Sequence, residues 1–193
     1  GGDVFEKIFY RFGNLFYLQK GSNGRMLLLS LNGGTDRRII YGGQEEINYA
    51  FILGNNDIFL SKGGETLYSD DFGKSWKKTA DFELNENNFS ADDDNNLAAC
   101  PEEKRGIIFS DSKGSDWMIL NRCIANDNLS AVAIYNDIIY AGFKNMNGIF
   151  KSEDGGISWQ SSLPESFSEE IKSDISVQFF KSYDNPGFFA GTG

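Results

Sequence analysis

Carboxylates recur at fixed places in this chain, and they are the side chains best suited to do chemistry. Ser69 to Trp76 reads SDDFGKSW and Ser152 to Trp159 reads SEDGGISW, so Asp71 and Asp154 share one place in a Ser-x-Asp-x-Gly-x-x-Trp figure. Ser110 to Trp117, SDSKGSDW, keeps Ser110, Gly114 and Trp117 but has Ser112 where the others have aspartate. Two carboxylates at a suitable separation suffice for acid–base hydrolysis of a glycoside. The chain has 28 acidic residues, and the sequence singles out no pair among them. The figure itself offers a competing use, a turn between two strands. Gly73, Gly114 and Gly156 are free to take the positive φ that a reversal needs. The carboxylate and the hydroxyls of Ser69, Ser110 and Ser152 are placed to accept backbone N–H groups within that turn. Trp76, Trp117 and Trp159 would then bury their rings along the returning strand, each contributing about 2–3 kcal/mol. Asp71 and Asp154 are therefore expected to serve the turn rather than a reaction.

A second acidic constellation invites a metal. In the run Asn85 to Asn96, NENNFSADDDNN, and just beyond it, Asp92, Asp94, Asn96 and Glu103 fall at the spacing of a calcium loop closed by a bidentate glutamate. Leu97 stands where such a loop needs glycine, Pro101 intrudes, and LAAC reads as a strand that draws Glu103 away. The expected reading is a solvated loop between blades with no cofactor, calcium being possible.

Bulk properties exclude other classes. The net charge of -10 argues against a nucleic-acid partner, because phosphate binding needs a basic face. No apolar run approaches the roughly 18 residues of a membrane-spanning helix, and GGDVFEK is neither a signal peptide nor a targeting helix. With no histidine and only Cys100 and Cys123, a tetrahedral zinc site is not expected; the two cysteines are read as thiols, one disulfide being the alternative.

The elements that position these residues follow from the spacing. The markers Ser69, Ser110 and Ser152 lie 41 and 42 residues apart, and Ser30, 39 residues before Ser69, opens a decayed copy, SLNGGTDR. There Asn32 takes the aspartate's place, Gly34 the glycine's and Arg37 the tryptophan's. Repeats of this length point to solenoids, arrays or propellers. Before each marker come short apolar runs separated by turn residues, as in LSAVAIY, DIIYAGF and GIFKS, followed by ISWQ. Seventeen Phe, eight Tyr and 22 Gly favour strands and tight turns, and no convincing helical periodicity occurs. Four short strands per repeat predict an all-β chain, a β-propeller of four-stranded antiparallel blades. The expected single domain, 1–193, places blades at about 3–42, 47–80, 88–120 and 129–161, with half of a fifth at 175–193. Four and a half blades leave an open end, so a fragment of a larger propeller is expected, a closed five-bladed ring being the alternative.

The figures in SDDFGKSW and SEDGGISW, with ETLYS and GIFKS before them, resemble the Asp-box, or bacterial neuraminidase repeat, superfamily. The resemblance implies a propeller with the boxes at the blade periphery, away from a central ligand-binding face. It is specific for fold and poor for function, since the superfamily includes sialidases, other glycoside hydrolases, sortilin-type ectodomains and photosystem assembly factors. A sialidase would need an arginine cluster, a Tyr with a nearby Glu, and an acidic proton donor. Arg11, in Tyr10-Arg11-Phe12-Gly13, loosely matches the place of the family's first arginine, but the Ile and Pro of that motif are missing. Arg37, Arg38, Arg105 and Arg122 lie in or beside strands, and nothing marks them as a triad. Asn88-Phe89-Ser90 and Asn128-Leu129-Ser130 are sequons, with meaning only in a secretory chain.

The expected function is therefore a non-catalytic propeller that recognises a protein or glycan. A sialidase-like or other glycoside hydrolase, or a piece of one, is the alternative. The expected location is extracellular, periplasmic or in the secretory lumen, without membrane insertion.

Overall fold

The computed structural model describes residues 4–11, 13–22, 24–31, 33–42, 47–53, 55–85, 88–92, 94–101, 106–120, 129–143, 149–162, 179–182 and 188–191, the last two segments and Arg11 by backbone alone. These residues are all strand or turn, with no helix among them. Four antiparallel sheets of four strands follow one another along the chain, each in the simple order of its sequence. The first comprises β1 (Val4–Arg11), β2 (Asn14–Gly21), β3 (Gly24–Ser30) and β4 (Arg38–Gly42). The second comprises β5 (Ile47–Ile52), β6 (Ile58–Lys62), β7 (Glu65–Ser69) and β8 (Lys77–Ala80). The third has the short strands β9 (Phe89–Ala91), β10 (Leu97–Ala99), β11 (Ile108–Ser110) and β12 (Met118–Ile119). The fourth has β13 (Leu129–Tyr135), β14 (Ile138–Phe143), β15 (Ile149–Ser152) and β16 (Gln160–Ser161), and a two-stranded sheet of β17 (Phe179–Ser182) and β18 (Phe188–Gly191) follows. Each four-stranded meander is a propeller blade.

The chain divides into two compact units, Gly1–Asn85 and Glu86–Gly193. In the first, period-2 alternation puts Phe16, Leu18, Leu27 and Leu29 on one face of blade one, where they meet Ile47, Ala50, Ile52, Ile58, Leu60 and Leu67 of blade two. In the second, Ala98, Cys100 and Ile107 of blade three meet Val132, Ile134, Ile139, Ala141 and Phe143 of blade four. Each large side chain so buried contributes about 1.5–3 kcal/mol. Cys100 is buried and forms no disulfide, and Cys123 lies outside the described residues.

One irregularity recurs at an equivalent place. The pairing of the first strand with the second shifts between Phe5 and Lys7, between Ile47 and Tyr49, and between Leu129 and Ala131. The extra residues are Glu6, Asn48 and Ser130, all polar. An added residue reverses which face the following side chains occupy, so Phe5 and Ile8 share a face although three apart.

Candidate functional site

The recurring turn joins the third and fourth strands of each blade, and the structure shows how its residues hold it. Asp71 Oδ1 accepts hydrogen bonds from the Ser69 hydroxyl and the N–H groups of Lys74 and Ser75, each at 2.9 Å, while Oδ2 accepts the Ser75 hydroxyl at 2.7 Å. Asp154 repeats this with the Ser152 hydroxyl at 2.8 Å, the Ser158 N–H at 2.9 Å and the Ser158 hydroxyl at 2.5 Å. The bonds favour the ionised form. Asp71 is lowered to about 2, chiefly by the Ser75 N–H, and Asp154 to about 2, chiefly by the Ser158 hydroxyl. A carboxylate held so acidic is a poor proton donor or base near neutral pH.

The marker serine performs one task in all four copies. Its hydroxyl accepts the N–H of the turn glycine: Ser30 from Gly34 and Ser69 from Gly73 at 2.9 Å, Ser110 from Gly114 and Ser152 from Gly156 at 2.8 Å. The glycine and its predecessor are left-handed in each, for example Phe72 at φ 61° and Gly73 at φ 77°. Backbone geometry thus persists where the side chains have changed, as in Gly33 and Gly34 of the first copy at 61° and 98°. Asn32 lies outside the described residues. In the third copy Ser112 Oγ accepts the Asp116 N–H at 2.9 Å.

The turns also press against the preceding sheet. A Cβ on Gly73 would lie 2.6 Å from Ile40 Cβ, and one on Gly156 would lie 2.9 Å from Leu120 Cβ. Trp76 Nε1 donates to the Ile40 carbonyl at 3.3 Å, and its ring meets Tyr41 edge-on at 5.3 Å. Trp159 instead donates to its own turn, at Gly156 O, 3.2 Å away. Ser75, Ser158, Ile40 and Leu120 were not singled out from sequence, although a serine before the tryptophan in both aspartate-bearing copies was a readable signal.

A cavity of about 330 Å³ opens beside the fourth blade's turn, lined by Lys151, Glu153, Asp154, Ser158, Trp159 and Gln160. Its acids are engaged, Glu153 by an ion pair with Lys151 and Asp154 by the turn. The acidic stretch of blade three also closes on itself: Asp92 Oδ1 accepts the Asp94 and Asn96 N–H groups at 3.0 and 2.9 Å, and Oδ2 the Asn96 amide at 2.9 Å. This is the hairpin turn between β9 and β10, within blade three and not the connection between blades that the sequence suggested, because Asp92 and Asn96 close a tight turn on the paired strands. Glu103 lies outside the described residues, and among those described no group of three or more acidic or thiol side chains gathers to hold a metal.

A tyrosine–carboxylate contact does occur, in blade two. Tyr68 donates to Asp57 Oδ2 at 2.8 Å, and the Asn55 amide donates to the same oxygen at 2.7 Å. Asp57 is buried, and burial followed by that carboxylate pushes the Tyr68 hydroxyl well above its ordinary range. The proton is held more tightly, the reverse of what a tyrosine nucleophile requires. Among the arginines, Arg25 binds Glu6 at 2.6 Å and the Ile47 carbonyl at 3.1 Å. Arg37 lies over the rings of Phe5 and Tyr17 at 5.3 and 5.7 Å. Arg11 is on β1 with its side chain undescribed, and Arg105 and Arg122 lie outside the described residues. Of the sequons, Asn88 is buried and its carbonyl accepts the Cys100 N–H at 2.8 Å, while Asn128 is outside the described residues.

The chain matches no protein-family model and no curated protein sequence. Solved structures do match it. YCF48 bound to a D1 peptide superposes with a TM-score of 0.67 at 14% identity, over 98% of this chain and 61% of that one. A GH74 enzyme from Niastella koreensis gives 0.53 at 17%, over 77% and 22%, and a nidogen/laminin complex gives 0.53 at 12%, over 77% and 58%. The chain has a β-propeller fold. It spans less than two thirds of each of these neighbours.

Proposed function

We propose that this propeller is a non-catalytic recognition module for a protein or glycan partner, and that its recurring turn is an Asp-box. The observation that carries the reading is the state of Asp71 and Asp154, whose oxygens are taken by their own turns. The engaged Glu153 and the tightened proton of Tyr68 support it, because acid–base or nucleophilic hydrolysis needs groups poised near neutral pH. Two similar structures are complexes, YCF48 with a peptide and nidogen with laminin, and these favour a protein as the first partner to seek. An extracellular, periplasmic or secretory-lumen location goes with the proposal.

Similarity to a GH74 enzyme keeps a glycoside hydrolase as the second reading. One experiment separates them. The purified chain is incubated with a fluorogenic sialoside and a fluorogenic glucan, and in parallel applied to immobilised peptide and glycan arrays. Saturable array binding without turnover is the expected result. Saturable turnover of either substrate would establish the hydrolase instead.

A further inference from the structure

The hydrogen-bond register makes positions in different blades equivalent. Ser30, Ser69 and Ser152 pair with Leu15, Ile58 and Ile139, which pair in turn with Tyr10, Ile52 and Ile134 on the first strands. Two residues earlier stand Ile8, Ala50 and Val132, and across the bulge stand Phe5, Ile47 and Leu129. In blade two these positions form the wall that meets blade one, and Ile47, Ala50 and Ile52 are 0%, 1% and 1% exposed. In blade four Val132 and Ile134 meet blade three at 2% and 3%. In blade one Phe5, Ile8 and Tyr10 are 43%, 60% and 63% exposed. The same wall is therefore built three times; in blade one its inner positions Tyr17, Gln19 and Leu28 are buried, while its flanking strands are left exposed at Phe5, Ile8, Tyr10 and Ile39.

Its composition is that of an interface rather than a cap. A repeat that ends an array in water presents a polar outer face. Blade one presents Ile8 and Tyr10, and adds Ile39, 59% exposed, where blade two has Lys78. Arg37 reaches over Phe5 and Tyr17, while Ile8, Tyr10 and Ile39 keep more than half of their surface in solvent. An apolar patch of this kind marks a contact surface.

We infer that this face is an inter-blade interface whose occupant is a further four-stranded blade of the same polypeptide. Within the first unit such a wall is covered by a sheet face bearing Phe16, Leu18, Leu27, Leu29 and the partly buried Phe9 and Tyr41, so the occupant's contact face is expected to be equally rich in large apolar side chains. The fold match agrees, since nearly all of this chain fits onto 61% of a longer propeller. A second copy is a poorer occupant, because each carries a net charge of -10. The inference is independent of what the protein recognises.

The test is Ile8→Lys with Tyr10→Lys, made both in the 193-residue chain and in the complete product of its gene, beside Ile52→Lys as a control. In the 193-residue chain the double variant is expected to keep the parent melting temperature and to lose binding of the dye ANS, whereas Ile52→Lys unfolds blade two. In the complete product the double variant is expected to lower the melting temperature as much as Ile52→Lys does. Unchanged melting there, or a gene product with no further blade, overturns the inference. So does a drop in the 193-residue chain matching that of Ile52→Lys, which would mean the face is already covered. A discrete dimer by light scattering, dissolved by the double variant, would make the occupant a second copy and overturn it too.

Discussion

Ser112 Oγ accepts the backbone N–H of Asp116 at 2.9 Å, the bond that Asp71 Oδ1 accepts from Ser75 in the preceding turn. The two turns exchange residue types: Asp71 and Ser75 in one, Ser112 and Asp116 in the other. The apparent decay of the third copy is thus a paired change. A carboxylate at 112 would face the carboxylate at 116 instead of a hydroxyl donor. Ser112→Asp alone is expected to destabilise the chain by about 0.5–1 kcal/mol through like-charge repulsion. Ser112→Asp with Asp116→Ser should reverse sign and stabilise it by about 0.5–1 kcal/mol, as a gained cap does. Urea unfolding of the two variants measures both, and two shifts of the same sign would refute the pairing.

Acid should unfold the chain partly through these turns. Asp71 and Asp154 have folded pKa values lowered from 3.8 to about 2, so their contribution is complete above the unfolded value and is lost as pH falls from 3.8 through about 2. Asp71→Asn with Asp154→Asn should lower the melting temperature at neutral pH and flatten its fall in acid. Thermal melts between about pH 2 and pH 6 test this; parallel curves for parent and variant would assign the acid limb to other groups.

Much of this architecture was legible in the sequence because its causes are local. The spacing of Ser69, Ser110 and Ser152, and alternation in runs such as LSAVAIY, depend on neighbours a few residues away. The bulges at Glu6, Asn48 and Ser130 were not legible, since polar residues at strand starts are common and only pairing with the second strand reveals the extra one. Asp92, Asp94 and Asn96 were ambiguous because a calcium loop and a tight turn use the same residue types. A recognition surface draws on residues distant in sequence, and spacing carries no trace of that gathering.

Two glycines with similar φ separate backbone strain from crowding. Gly64, at φ 83°, has nothing within 4 Å of a built Cβ, so Gly64→Ala should cost only about 1–2 kcal/mol of left-handed strain. Gly73, at φ 77°, meets Ile40 at 2.6 Å, and overpacking should add about 1–3 kcal/mol. Ile40→Gly, which removes the Cβ at that distance, made together with Gly73→Ala should recover part of that loss in a double-mutant cycle, and strict additivity would remove the proposed contact.

A buried hydroxyl chain fixes the segment that leaves blade two. Thr66 Oγ1 donates to the Phe82 carbonyl at 2.7 Å and lies 3.2 Å from Ser61 Oγ, which accepts the Leu84 N–H at 2.8 Å. Ser61 and Thr66 are 1% and 0% exposed, so water cannot readily replace either bond. Thr66→Val keeps the shape and removes the donor, and Ser61→Ala removes the acceptor of the Leu84 amide. Each is expected to cost about 1–3 kcal/mol. Hydrogen exchange at the Leu84 amide should accelerate in Ser61→Ala more than the global loss of stability explains, because the bond that protects that amide is gone. Acceleration matching the global loss alone would show that Leu84 and Phe82, buried at 1% and 5%, hold the segment by packing instead.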